Sequence, residues 1–344
     1  GKMRMTERMG TGFWDRARRF MAEHSALFIL AGLCVALGIY SDSFRSVENL
    51  QSVAQRTPVV GILALGQLLV ILTGGIDLSV GSVAALGGVL GCMAMLRVMA
   101  WLAAEPAMAS GATVLLASSA GVLSGVLVGL ACGLLCGLLV TRGRIPPFVV
   151  TLGMMMGARG AALVVSGAKP VSRLPLGFAW LGGTRAWWIP VLLMLGLAAV
   201  FSFMLSFTRF GRALYATGGN MEAARLSGIG VDRVRVAAYA ICGAMAGLAG
   251  MVLASRTSVA APTGAEMHEL YAIAACVIGG ASLSGGEGGA FAAIAGALIM
   301  MVLYNFCTIQ NISVHWQQIL IGLLLVVLVF YDTWRKRRAG ILRD

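Results

Sequence analysis

Few residues in this chain could do chemistry, and most of them lie in or beside long apolar runs. The three histidines, His24, His268 and His315, are far apart in sequence and near the ends of such runs, so they form no proton-transfer constellation. The only lysines are Lys2, Lys169 and Lys336, and no GxxxxGK[ST] occurs, so the chain has no phosphate-binding loop of its own. Seven cysteines (Cys34, Cys92, Cys132, Cys136, Cys242, Cys276 and Cys307) are scattered, odd in number and free of any CxxC. They make neither a disulfide framework nor a zinc site. Catalytic residues and metal ligands are therefore expected to be none. The paired carboxylates or basic relays of a proton-driven carrier are missing as well.

What remains is a set of isolated polar residues in apolar surroundings. The segment Gly74-Gly75-Ile76-Asp77-Leu78-Ser79-Val80-Gly81 ends one apolar run and starts another with almost no loop. An acid so close to a membrane is costly, which points to a role in a pathway or gate. The competing reading is that Asp77 or Ser79 caps the next helix by accepting its free N–H groups. A second segment, Gly279-Gly280-Ala281-Ser282-Leu283-Ser284-Gly285-Gly286, matches the first as GG-x-x-L-S-x-G. Either this is chance in a chain with 46 glycines, or it is an internal repeat whose broken helices aim their ends at a central site. Gln67, Thr151, Arg159 and Asn305 are further polar positions inside apolar runs. Arg159 follows Pro146 by 13 residues, or ~20 Å along a helix. From there it either snorkels outward or lines an aqueous route. Gln67, Asp77, Ser79, Thr151, Arg159, Ser282, Ser284 and Asn305 are thus the pathway or gate candidates.

Composition says which elements position them. Of 344 residues, 59% are hydrophobic and 12% charged, against roughly 45–50% and about 25% in a soluble domain. Mean hydropathy is +0.88. A soluble enzyme, a disordered chain and a secreted disulfide scaffold are excluded. A bilayer core needs ~20 mostly apolar residues per helix, and ten such runs lie near 25–40, 57–75, 79–96, 112–140, 146–166, 187–207, 234–254, 268–280, 289–306 and 316–333. The first follows a basic stretch, but no small-x-small cleavage site follows Tyr40, so it is kept as a span. The pattern predicts an all-α polytopic membrane protein, a single domain over 1–344 with about ten transmembrane helices, some broken. In the fourth span Gly121, Gly125, Gly129, Gly133 and Gly137 recur every four residues; this spacing predicts close helix packing.

The bases set the orientation. The net charge of +12 would suggest nucleic acid in a soluble chain, but here the bases are unevenly distributed between loops. Eighteen of the 26 fall on one predicted side: both tails, Arg142 and Arg144, and Arg209, Arg212, Arg225, Arg233 and Arg235. Both termini are therefore expected to be cytoplasmic. Residues 1–24 read as a cytoplasmic or interfacial segment, with Phe13, Trp14 and Phe20 among arginines. Residues 334–344 read as a basic cytoplasmic tail.

The cytoplasmic segment 208–235 carries the clearest local signal. Gly218-Gly219 is expected to break the chain, Asn220 to cap a short helix, and Glu222 to complement its dipole. Gly228 suits the C′ position, followed by Ile229. Helices this short are marginal alone. The segment is read either as a knob for a partner's groove, with a small Ala223-Ala224 face, or as a loop packed on its own membrane domain.

Taken together, Gly66-Gln67…Thr73-Gly74-Gly75-Ile76-Asp77-Leu78-Ser79-Val80-Gly81, Pro146-Pro147-Phe148-Val149-Val150-Thr151-Leu152-Gly153, Phe210-Gly211-Arg212, Gly218-Gly219-Asn220-x-Glu222-Ala223-Ala224-Arg225-Leu226-Ser227-Gly228-Ile229 and Val277-Ile278-Gly279-Gly280-Ala281-Ser282-Leu283-Ser284-Gly285-Gly286 resemble the permease subunits of bacterial ATP-binding-cassette importers for monosaccharides. The resemblance covers roughly 25–333. It implies a multi-pass protein of the bacterial inner membrane that pairs with a second permease copy, surrounded by lipid and binding no nucleic acid. It implies a separate ATPase subunit that binds ATP and magnesium, this chain holding no cofactor. Gly219, Asn220, Glu222, Ala223, Ala224, Arg225, Leu226 and Gly228 would form the helix that couples to that ATPase. A periplasmic sugar-binding protein would dock near 41–56, 167–186 and 255–268, with Arg45, Arg56, Arg173 and Arg256 as candidates to meet its acids. The same machinery carrying a nucleoside, a branched-chain amino acid or a furanosyl signal molecule is the alternative, and a stand-alone channel, a secondary carrier or a non-transporting membrane partner are the rivals. The family usually reads Glu-Leu-Asp-Ala-Ile-Ala before its second glycine motif; this chain has Tyr271 where that acid stands, so no role of the acid carries over.

Overall fold

The computed structural model describes residues 25–102, 110–183 and 186–338. The expected interfacial segment 1–24, Arg185 and the end of the basic tail at 339–344 lie outside them. The helices in chain order are α1 (Ser25–Tyr40), α2 (Val47–Leu72), α3 (Val80–Leu102), α4 (Gly111–Thr141), α5 (Pro147–Ser166), α6 (Trp188–Phe207), α7 (Arg209–Gly219), α8 (Met221–Leu226), α9 (Val231–Thr257), α10 (His268–Ile278), α11 (Ala290–Ile309) and α12 (Val314–Arg338). Among the described residues no strand forms; a single antiparallel bridge pairs Val171 with Ala260. Each of the ten apolar runs coincides with a helix. Seven of the described helices (α2 to α6, α9 and α11) are long and apolar enough to cross a membrane, while α1 and α10 are shorter.

The helices sort by what they hide. From Thr57 to Leu72 every residue of α2 is buried, so this helix is apolar all round, as the centre of a bundle must be. It starts ten residues before the expected boundary because Ser46 caps it through the N–H of Asn49. Around it, α4, α5, α6 and α12 turn large apolar residues outward, among them Leu123, Met156, Phe203 and Val326. Such a surface is insoluble in water and matched by lipid.

The glycine ladder of α4 explains how the bundle closes. Gly121, Gly125, Gly129, Gly133 and Gly137 are all buried. Side chains on Gly129 and Gly133 would run into the carbonyl oxygens of Gly243 and Tyr239 on α9. Lipid tails are as apolar as leucine, so helices in a bilayer associate through van der Waals packing rather than hydrophobic exclusion, and packing improves as backbones approach. Glycine at both sides of the α4–α9 contact permits that approach.

The connections meet in two groups. In the first, the loops after α2, after α10 and around α7 touch one another: Gly286 N–H donates to Leu72 O at 3.1 Å, and Tyr215 Oη–H donates to Gly288 O at 2.7 Å. In the second, Gln55 donates to Gly183 O, Ser255 Oγ donates to Phe178 O while accepting from Gly182 N–H, and Arg159 reaches the 260s.

Candidate functional site

The first glycine loop is built by a helix stop followed immediately by a helix start. Gly74 lies in the left-handed region at φ 74°. Its N–H donates to Ile71 O at 2.8 Å and that of Gly75 to Val70 O at 3.1 Å, the paired bonds that close an α-helix C-terminus. Asp77 is buried, and one carboxylate oxygen accepts from Ser79 N–H at 2.8 Å and from Ser79 Oγ–H at 2.6 Å. Ser79 O then accepts from Val83 N–H as the first bond of α3. The amide of Gln67 clamps the Asp77 main chain, donating to its carbonyl at 3.0 Å and accepting from its N–H at 3.1 Å. Thr151 Oγ1 lies 3.4 Å from Ile76 O. Gln67, Asp77, Ser79 and Thr151 are thus gathered at one loop.

Replacing Asp77 by alanine strands a buried N–H and a buried hydroxyl of Ser79, which costs roughly 1–3 kcal/mol. Asp77→Asn keeps the acceptor and removes only the charge. Thermal unfolding should be lowered by alanine and little changed by asparagine, and uptake by the asparagine variant reports whether the charge itself is used.

The second loop repeats the device. Gly280, at φ 88°, donates to Val277 O and Ala281 N–H to Cys276 O, both at 2.9 Å. Ser282 Oγ accepts from Ser284 N–H at 3.2 Å, which is the Asp77–Ser79 turn at the matching motif positions. Beyond Ser284 the two part: α3 starts at once, whereas 281–289 continue as turns to α11. Of the two readings left open for this repeat, the one with a half-helix directly after α10 is not found: Gly285 and Gly286 take left-handed φ values of 91° and 77° that end regular structure.

Between the two loops stands Gly218. Gly218 and Gly219 do not break the chain; both belong to α7, which the sequence pattern did not reveal and which Thr208 caps by accepting from Gly211 N–H. A side chain on Gly218 would run into Leu72 O and the Gly286 main chain, and one on Gly285 would lie 2.9 Å from Gly218 Cα. Three backbones from distant parts of the chain therefore touch at this joint. Tyr215, one turn earlier, fastens it through Gly288 O; burial pushes its phenol above the ordinary value, so it remains a donor. The paired glycines at 218–219 and 285–286 were the available signal for this joint, although they read equally well as turn residues.

The joint passes into α8 through one residue. Asn220 N–H donates to Ala216 O, ending α7, and its Oδ1 accepts from Ala223 N–H at 2.9 Å, starting α8. At the other end Gly228, at φ 82°, donates to Arg225 O and Ile229 N–H to Ala224 O, both at 3.0 Å. Glu222, Ala223, Arg225 and Leu226 are exposed while Ala224 turns inward. The expected two-alanine face is therefore divided, because successive helical residues point ~100° apart. Arg225 reaches Asp232 at 3.4 Å, and Leu226 is 91% exposed. Gly219 faces open space.

The remaining candidates lie elsewhere. Arg159 Nη1 donates to Pro262 O and Gly264 O, each at 2.8 Å, tying α5 to the loop before α10. Asn305 is buried near the end of α11. Arg45 pairs with Asp42, and Arg173 is exposed in a loop. Arg56 and Arg256 line one cavity together instead of standing out as contact residues. Among the described residues no His, Cys, Asp and Glu side chains cluster as a metal would require.

The helices thus form a bundle whose interior loops are joined to a capped, outward-facing helix. The chain belongs to the family described as branched-chain amino acid transport system / permease component, whose pattern it matches over residues 49–329. It is 35% identical to the ribose import permease protein RbsC of Escherichia coli (strain K12), covering 95% of this chain and 99% of that one. It is 36% identical to the ribose import permease protein RbsC of Bacillus subtilis (strain 168), covering 95% and 96%. With the xylose transport system permease protein XylH of Escherichia coli (strain K12) it shares 32% identity over 91% and 93% of the two chains. No solved structure matches. The protein is thus a transporter permease component rather than an enzyme.

Proposed function

We propose that the chain is the membrane-spanning subunit of an ATP-driven importer for a monosaccharide, with hydrolysis carried out by a separate ATPase subunit that binds ATP and magnesium. The observation that carries this is α8: a rigidly capped helix that offers Glu222, Arg225 and an exposed Leu226 to a partner, one residue from a joint touching both glycine loops. The exposed Leu226 beside Glu222 and Arg225 would be the apolar residue that a groove on the partner receives. Movement of α8 would shift α7, and through Gly218 both loops at the inner ends of α2 and α10.

The division of the connections into two groups supports ten crossings with both termini in the cytoplasm of the bacterial inner membrane. The loops bearing Arg142, Arg144 and the arginines of 209–235 would face the ATPase. The loops at 41–56, 167–183 and 255–268 would receive a periplasmic sugar-binding protein. A second permease copy would complete the route along a shared axis. The relatives named for ribose and xylose favour a monosaccharide over an amino acid or nucleoside as cargo.

The test is made on the assembled importer in membrane vesicles. Replacing Glu222 and Arg225 together by alanine should leave the complex in the membrane and hydrolysing ATP, yet reduce sugar uptake at least tenfold. Uptake at the unaltered rate would overturn the coupling role of α8. Sugar flux through the purified chain alone in liposomes would replace the importer by a channel or carrier.

A further inference from the structure

On the face opposite α8, the ends of α2, α9, α10, α11 and α12 enclose a cavity of about 230 Å³ that the function above does not use. Its walls combine Arg56, Arg256, Glu266, His268, Tyr271 and Tyr304. The rings form a continuous surface. His268 meets Tyr271 edge-on with centroids 5.5 Å apart, Tyr271 meets Tyr304 edge-on at 6.2 Å, and the Arg56 guanidinium lies 6.0 Å above the Tyr304 ring.

The two arginines need an explanation. Among the described residues neither forms an ion pair. Arg256 Nε is buried with no hydrogen-bond partner. Two guanidiniums at the edge of an apolar bundle, with Glu266 in the same cavity but no carboxylate in direct ion-pair contact, are costly to maintain, and a buried donor left without an acceptor costs roughly 1–3 kcal/mol.

We propose that this cavity is a receiving site for a single monosaccharide on its way into the permease; the inference rests on the monosaccharide reading above and assigns that cargo a place. A guanidinium presents a planar fork of N–H donors, which matches two neighbouring hydroxyls of a sugar. The Glu266 carboxylate and the Gln318 amide supply acceptors. The parts of the Tyr271 and Tyr304 rings that line the cavity give it an apolar wall for the C–H groups of the sugar. The volume falls below the ~300–1,000 Å³ of sites for drug-sized ligands, so it suits one hydroxylated ring. A bare inorganic anion would answer the arginines, but Glu266 in the same cavity repels it and the aromatic wall gives it nothing. Affinity at this site is weak, since cargo must leave again for transport to continue.

The test uses the full-length permease in lipid nanodiscs, without receptor or ATPase, and saturation-transfer NMR with D-ribose and with D-xylose as probes. Saturable binding of at least one sugar is expected, weakened at least tenfold by Arg256→Gln and by Tyr304→Ala. Arg256→Lys and Tyr304→Phe, which preserve packing, guard against loss of fold: binding should fall with lysine, whose ammonium lacks the fork, and persist with phenylalanine. Inorganic phosphate should not compete. Equal sugar signals from wild type and all variants, absence of any signal, or displacement of sugar by phosphate would each overturn the site. Parallel uptake measurements on the assembled importer separate the two levels. Monosaccharide uptake without cavity binding sinks this inference alone, whereas absence of uptake of any monosaccharide sinks the reading on which it rests.

Discussion

Gly218→Val is expected to reduce coupled uptake by one to two orders of magnitude while ATP hydrolysis by the complex continues. The position has no room for any side chain, since even a Cβ meets Leu72 O and the Gly286 main chain. Both neighbours are backbone and cannot rotate away, so the bundle must part at the joint. Forcing extra atoms into a packed site costs about 1–3 kcal/mol, and every 1.4 kcal/mol changes an equilibrium tenfold. Because α7 is held at its other end by the Thr208 cap, the displacement is taken up between α8 and the two glycine loops. Gly218→Ala should give a smaller loss in the same direction. Gly196→Ala, where a side chain meets nothing within 4 Å, should leave uptake unchanged. Normal uptake by folded Gly218→Val would show that the joint carries no movement.

The second large effect is on stability. Gly129→Leu should prevent correct assembly of the bundle or lower its stability by roughly 3 kcal/mol or more, the upper part of the cost of overpacking. The new side chain would stand against Gly243 O on α9, where the two backbones touch. Gly129→Ala should be milder yet still measurable, because the obstructing atom is again main chain. Thermal unfolding in detergent, followed by the fraction eluting as a folded species, reads both variants. Unchanged melting of Gly129→Leu would mean that the α4–α9 contact is not what closes the bundle. The two variants are read by different measurements: melting reports the α4–α9 contact at Gly129, and uptake by folded protein reports the joint at Gly218.

Much of this was legible before folding. Asn220, Glu222, Gly228 and Ile229 specify α8 because caps act over three to five residues, so the partners are adjacent in sequence. The ladder from Gly121 to Gly137 marked a contact face because its spacing is one turn of helix. The Asp77–Ser79 turn and its echo at Ser282–Ser284 were visible as a shared motif for the same reason. The limits are equally instructive. Gly218-Gly219 reads as a chain break, since a glycine that permits a turn and one that permits a contact are the same letter. Arg56 and Arg256 read as separate surface charges because two hundred residues stand between them in sequence.

By itself the sequence determined that this protein resides in a membrane, where its long apolar helices run, how its bases divide between loops and that α8 is capped. Those features follow from transfer energies and from interactions within a turn or two. Only the tertiary structure decided that Leu72, Gly218 and Gly286 meet at one joint, that Arg159 ties α5 to the loop before α10, and that two arginines and two tyrosines enclose a cavity. These are contacts between residues distant along the chain, and packing in three dimensions is what selects them.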